Sequence, residues 1–147
     1  MGHDTSEWVF VGIVIAILVY VGVDSWNIEK LLEDVPADAE TIKVTGQQWF
    51  WSFEHADGTK EISTLHLKKG HAYKFEIYSK DVMHSFNIPD WVVFQDAVPG
   101  HINHAWFSPD QTGTFPIQCR EYCGLLHYNM RGSLVVEDTK SLAKTFY

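Results

Sequence analysis

Cysteine and positive charge are both scarce in this chain. Its 147 residues include two cysteines, Cys119 and Cys123. That is too few for a disulfide framework and too few for a four-sulfur zinc site. Eleven Lys and Arg stand against nineteen Asp and Glu, a formal net charge of −8. A basic stripe is the footprint of nucleic-acid binding, so that class is set aside. An acidic balance suits encounter with a cationic partner, although it also serves plain solubility. There is no internal repeat and no low-complexity tract. Aromatic residues, by contrast, are plentiful at 14 %, with six tryptophans.

A single long apolar run is present. Trp8 to Val23 carries no charge over sixteen residues, which as a helix spans about 24 Å. A hydrocarbon core of about 30 Å needs more, and a helix from Thr5 to Leu32, with Trp8 and Trp26 at the two interfaces, supplies it. A cleaved signal peptide fits poorly, because no Lys or Arg precedes the run and no small-x-small site follows it. A retained anchor is expected. The first basic residue, Lys30, does not fix orientation. An acidic linker with Pro36 follows. Residues 1–35 therefore read as anchor and linker, 36–138 as a folded domain and 139–147 as a short tail, with a short helix possible over Thr139–Phe146.

From Thr41 onward the period is two. Strands are expected over Thr41–Thr45, Trp49–Phe53, Ile62–Leu67, Tyr73–Tyr78, His104–Phe107, Thr114–Cys119 and Gly132–Glu137, rich in β-branched and aromatic residues. Turn signals separate them, among them Asp57-Gly58, Lys69-Gly70 and Pro99-Gly100. Tyr73, Phe75 and Ile77 alternate with polar neighbours, giving one buried and one wet face. Many short strands with regular turns indicate an all-β sandwich or barrel.

The chemistry concentrates in Cys119–Met130, where two thiols, an imidazole and a thioether fall on one loop. Soft sulfur donors and imidazole suit copper. A mononuclear blue-copper site uses one Cys, and a second sulfur at i+4 allows two thiolates to bridge two copper ions. His127 and Met130 are local donors. His84, in D-V-M-H-S-F-N-I-P, is the candidate for a second imidazole, and a carbonyl near Glu121 for a second weak donor. A loop disulfide and a Cys₂His₂ zinc site stay open on these residues alone. His66 and His71, flanking a Lys-Lys-Gly turn, look solvent-facing.

These segments closely resemble subunit II of the haem–copper oxidases. Cys119, Glu121, Cys123, Gly124, His127 and Met130 match C-x-E-x-C-G-x-x-H-x-x-M. Asp81–Pro89 matches D-V-x-H-S-F/W-x-[IV]-P, Asp96–Gly100 matches D-A-x-P-G, and Gly46–Phe53 matches G-x-Q-W-F/Y-W-x-F/Y. The resemblance implies a cupredoxin-like Greek-key β-sandwich with one N-terminal transmembrane helix. It also implies a binuclear copper (CuA) centre held by His84, Cys119, Cys123, His127, Met130 and the carbonyl of Glu121. The Glu121 side chain would face subunit I and could hold a magnesium or manganese ion there. Trp49 falls at the electron-entry position, with Phe50 and Trp51 completing an aromatic patch. At least one of Trp49 and Trp51 is expected in the core, since alternate strand residues share a face.

Three departures from the commonest pattern stand out. One membrane helix replaces the usual two, as in the shorter subunits of B-family oxidases. Gln47 stands where His is frequent, and no C-x-x-C-H haem motif is present, so no fused cytochrome c domain is expected. The implied function is the electron-entry subunit of a proton-translocating cytochrome c oxidase in the plasma membrane, its N-terminus cytoplasmic and its domain outside. Electrons would come from cytochrome c or a small blue copper protein and go to haem in subunit I, which also carries CuB. Glu54, Asp57, Glu61, Asp90 and Asp96 are candidates for an acidic docking face. The rival readings are a CuA subunit of a nitric oxide reductase and a membrane-anchored copper delivery protein.

Overall fold

The computed structural model describes residues 4–91 and 93–138. The chain divides into two units, 1–34 and 35–147. The first is a single helix, α1 (Thr5–Glu33), long and apolar enough to cross a membrane. At 1.5 Å per residue it is about 43 Å long, more than the hydrocarbon core requires. Each of its residues is exposed, so none of its apolar side chains is buried within this chain. It begins at the expected residue and ends one residue beyond the expected Leu32.

The second unit is a sandwich of two five-stranded sheets. Sheet A contains β1 (Glu40–Gln47), β2 (Phe50–Glu54), β3 (Lys60–Ile62), β5 (Tyr73–Ser79) and β8 (Asn103–Phe107), in the order β3-β2-β1-β5-β8. Sheet B contains β4 (Thr64–Lys68), β6 (His84–Ile88), β7 (Val93–Ala97), β9 (Gly113–Cys119) and β10 (Arg131–Glu137), in the order β4-β10-β9-β6-β7. β1 runs parallel to β5 and β4 parallel to β10, whereas the other pairings are antiparallel.

The period-two pattern works as anticipated in β5, where Tyr73, Phe75 and Ile77 are buried between half-buried polar neighbours. Their inward face meets an aromatic cluster centred on Phe86. Its ring stands edge-on to Trp51 at 5.1 Å, Phe75 at 5.5 Å and Phe53 at 6.2 Å between centroids. Edge-to-face packing of this kind adds attraction beyond the area buried.

The structure departs from the expected strands in two places. The segment expected as one strand, Ile62–Leu67, is two, because Ser63 takes a positive φ of 58°. Its N–H donates to the Trp51 carbonyl of sheet A, while its own carbonyl accepts from Ser133 of sheet B. The chain thus passes from one sheet to the other at this residue. The second departure is the pair β6 and β7, which the strand pattern does not reveal. All five residues of β6 are buried, so alternation, the signal of a half-buried strand, has nothing to act on. The expected tail helix over Thr139–Phe146 lies outside the described residues.

Candidate metal centre

The site forms at one end of the sandwich, where β6 begins and β9 ends. His84 opens β6 and is fully buried, and Cys119 closes β9 with its side chain inward, beside Ile117. The loop after Cys119 returns Cys123, His127 and Met130 to the same place before β10 starts. The Cys119 and Cys123 Sγ atoms are 3.9 Å apart. His84 Nδ1 is 3.9 Å from Cys119 Sγ, and His127 Nδ1 is 3.5 Å from Cys123 Sγ. Met130 Sδ lies 3.6 Å from Cys123 Sγ, and the Glu121 carbonyl 3.3 Å from Cys119 Sγ. Every donor named from the sequence is therefore gathered around the two sulfurs. His84, Cys119 and Cys123 form a buried group with ligand atoms mutually within 4.8 Å. The cysteines are free, and their separation is far from the roughly 2.05 Å of a disulfide.

Two glycines make this approach possible. A Cβ on Gly46 would stand 2.9 Å from His84 Cδ2 and 3.1 Å from the Trp51 ring, so any side chain there displaces the imidazole or the indole. Gly124 has φ of +117°, and a Cβ there would meet Gln48 Nε2 at 2.9 Å. That space is used: Gln48 Nε2 donates to the Cys123 carbonyl at 2.7 Å, tying the loop to the β1–β2 turn. Trp49 packs half-buried in the same turn, its ring next to Gly124.

His84 is oriented from behind. Its Nε2 donates to Asp81 Oδ1 at 2.8 Å, leaving Nδ1 facing the thiols. Asp81 in turn accepts from the backbone N–H of Gln48 and of Val82, each at 2.7 Å. This second layer of contacts fixes the tautomer and ring plane of a metal-binding histidine. Asp81 stands only three residues before His84 in the same segment, but the contacts of Gln48 join residues 33 and 75 apart, and no spacing rule finds those.

The two thiols are driven apart in their titration. Burial raises the Cys119 thiol, but hydrogen bonds from His84 and from the backbone at Ser85 and Glu121 bring it down to about 7. Burial, and then the charge of Cys119, push Cys123 up to about 12. Near neutral pH the second thiol therefore keeps its proton, which a bound metal would displace. Burial works against a charged Asp81 too. The Gln48 N–H, His84 and the Val82 N–H overcome it and hold the carboxyl at about 2. Burial lowers the His84 imidazole, and its bonds to Cys119 and Asp81 outweigh that and raise it.

The aromatic triplet is not one surface patch. Trp51 is fully buried, edge-on to His84 at 6.0 Å. Phe50 lies on the other face of β2, in a groove with Lys43, Thr45 and Ser52. Alternation along β2 separates them, because Phe50 and Trp51 are neighbours in a strand and point to opposite faces. Only Trp49 borders the metal loop.

Residues 63–139 match the family model described as the periplasmic domain of cytochrome c oxidase subunit II. The chain belongs to that family. It is 32 % identical to an alternative cytochrome c oxidase subunit 2 of Bradyrhizobium diazoefficiens over 89 % of this chain and 58 % of the relative. It is 34 % identical to a probable cytochrome c oxidase subunit 2 of Rickettsia conorii over 82 % of this chain and 45 % of the relative. The chain thus spans about half the length of these relatives. The periplasmic domain of subunit II of the Bradyrhizobium japonicum cytochrome oxidase superposes with a TM-score of 0.70 at 30 % identity, covering 75 % of this chain and 92 % of that one. The sandwich is the cupredoxin-like domain of this family, carried by one apolar helix that makes the protein membrane-anchored. Membership implies copper of the CuA type, and the donors fit it. Paired thiolates, two imidazoles and two weak donors exceed what a four-coordinate structural zinc takes.

Proposed function

We propose that this chain is the electron-entry subunit of a proton-translocating cytochrome c oxidase. It takes electrons from cytochrome c or a small blue copper protein and delivers them to haem in subunit I, where oxygen is reduced. The observation that carries this reading is the gathering of four further donors around two free, buried sulfurs. Cys119 and Cys123 would bridge two copper ions, with His84 and His127 as imidazole ligands and Met130 and the Glu121 carbonyl as weak ones. When bound, the metal pair supplies a one-electron site whose charge is shared and whose surroundings need little rearrangement.

The protein's own part is rigidity and access. Asp81 holds the His84 ring, Gln48 holds the loop at Cys123, and both cysteines are buried at the end of the sandwich. Trp49, packed beside Gly124 and so next to Cys123, is the electron-entry residue in this reading. The exposed side chain of Glu121 is available to a magnesium or manganese ion at the subunit I contact. The N-terminus of α1 lies in the cytoplasm and the domain on the outer side, where soluble donors circulate.

The test is copper loading of the full chain in detergent, followed by electron paramagnetic resonance. One electron shared by two copper nuclei gives a seven-line hyperfine pattern, and Cys123→Ser should abolish it. A four-line signal from wild type, or a preference for zinc with no signal, overturns the binuclear assignment.

A further inference from the structure

Arginine is the scarcest charged residue here. There are two, Arg120 and Arg131, and both line one open pocket of about 400 Å³ beside the metal loop. Strand register explains the convergence. Gln118 of β9 is the cross-strand partner of Arg131 of β10. Arg120 follows Gln118 by two residues, so all three side chains share the outward face of sheet B. The inward face belongs to Ile117 and Cys119. His127 and Tyr128 share the rim, and Cys119 and Met130 line the side toward the metal loop.

Neither guanidinium is paired with a carboxylate among the described residues. Arg120 Nη1 donates to Gln118 Oε1 and Arg131 Nε to the Tyr128 carbonyl, each at a long 3.4 Å. In a chain with nineteen acidic residues, three of the lysines do find carboxylates. Lys43 and Lys60 both rest on Glu54, and Lys74 on Glu76. Even Glu121, the next residue after Arg120, makes no ion pair with it. Arginine is the side chain best suited to planar, bidentate carboxylate recognition, so two unpaired forks on one exposed shelf describe an unfilled acceptor for carboxylates.

We propose that Arg120 and Arg131 form a carboxylate-receiving clamp, and that the subunit accepting electrons from this chain presents one or more carboxylates to it. This rests on the electron-relay reading above. The side is assigned by Trp49, which sits at the β1–β2 turn of sheet A. The arginines stand on sheet B, beside Cys119 and His127. Donor and acceptor then use different faces of the domain, and the cationic spot in an acidic chain marks the acceptor.

The experiment uses the full chain assembled with its haem-bearing partner, comparing wild type with the double variants R120Q/R131Q and R120K/R131K. The glutamine variant should keep the copper spectrum and the KM for the electron donor. Its recovery of the partner subunit in co-purification should fall about tenfold, the scale of lost charge-assisted hydrogen bonds. Lysine, a point charge without the fork, should give an intermediate loss. A haem-borne carboxylate would also lower the haem reduction potential in the glutamine variant, whereas a side-chain carboxylate would leave it unchanged. Partner recovery equal to wild type overturns the clamp, as does a raised donor KM with the partner fully retained. Should the glutamine variant lose copper, the lysine variant decides: reduced recovery with copper intact supports the clamp, and unchanged recovery refutes it. Failure of the relay reading appears separately, as absence of the seven-line signal in wild type.

Discussion

At the scale of single residues, this centre depends as much on what touches the donors as on the donors. Gly46 is the clearest case. Its missing side chain is occupied by the His84 ring, so Gly46→Ala should push the imidazole off its Asp81 hydrogen bond. Disturbing such an outer contact typically costs ten- to a hundredfold in metal affinity, and a loss of about that size is expected in competitive copper titration. Gln48→Ala removes the 2.7 Å bond to the Cys123 carbonyl while leaving every donor in place. Copper content should be retained, and the loop should become less protected in hydrogen exchange. The donor set itself was legible, because two cysteines, His127 and Met130 lie within one short segment and His84 sits in a segment of its own character. Of the contacts that hold it, Asp81 to His84 is local, whereas those of Gln48 join the turn after β1 to Asp81 and to the metal loop across the domain and were not legible.

At the scale of elements, legibility followed burial. Half-buried strands such as β5 announce themselves by alternation, and α1 by an unbroken apolar run. The strand β6 is covered on both faces and shows no period. The Ser63 crossing is a matter of backbone geometry, and a serine carries no specific signal for it. Two predictions belong at this level. Phe86, in the middle of β6, meets three aromatic rings, and Phe86→Ala should cost about 3–5 kcal/mol in chemical denaturation. The short strand β3 is pinned through Glu61. This side chain is bonded to His66 Nδ1 at 2.7 Å, to the His66 N–H at 2.9 Å and to His55 Nε2 at 3.3 Å. Burial raises its carboxyl, but these bonds prevail and lower it below the ordinary carboxylate value. A lowered carboxyl stabilises the fold above its unfolded value and loses that contribution as pH falls through the folded one. Glu61→Gln should therefore melt earlier than wild type at pH 6 and lose less on acidification to pH 3, as thermal melts would show.

At the scale of the whole molecule, anchor and domain are separate units, and the domain has a complete core of its own. A fragment of residues 35–147 should fold with the same β-sheet circular dichroism as the full chain in detergent, and it should bind copper equally. A fragment that fails to fold would show that the helix contributes to the core. The acidic face expected from composition is partly committed elsewhere. Glu54 is paired with Lys43 and Lys60, Glu61 with two histidines, and Asp57 accepts from the Thr59 N–H. Asp90 and Asp96 remain exposed. Around the loop itself the exposed large apolar side chains away from the arginine pocket are Tyr122 and Leu125, which would suit a donor with an apolar contact surface. The hydrogen bonds of Asp81 and Gln48 have one more consequence. They hold the site's walls without any contribution from the metal, unlike a zinc finger, which is unfolded until its ion arrives. Under the proposed reading, maturation would thereby split into two events: the polypeptide reaches its final form first, and the cargo is handed over later to a receptacle that is already shaped.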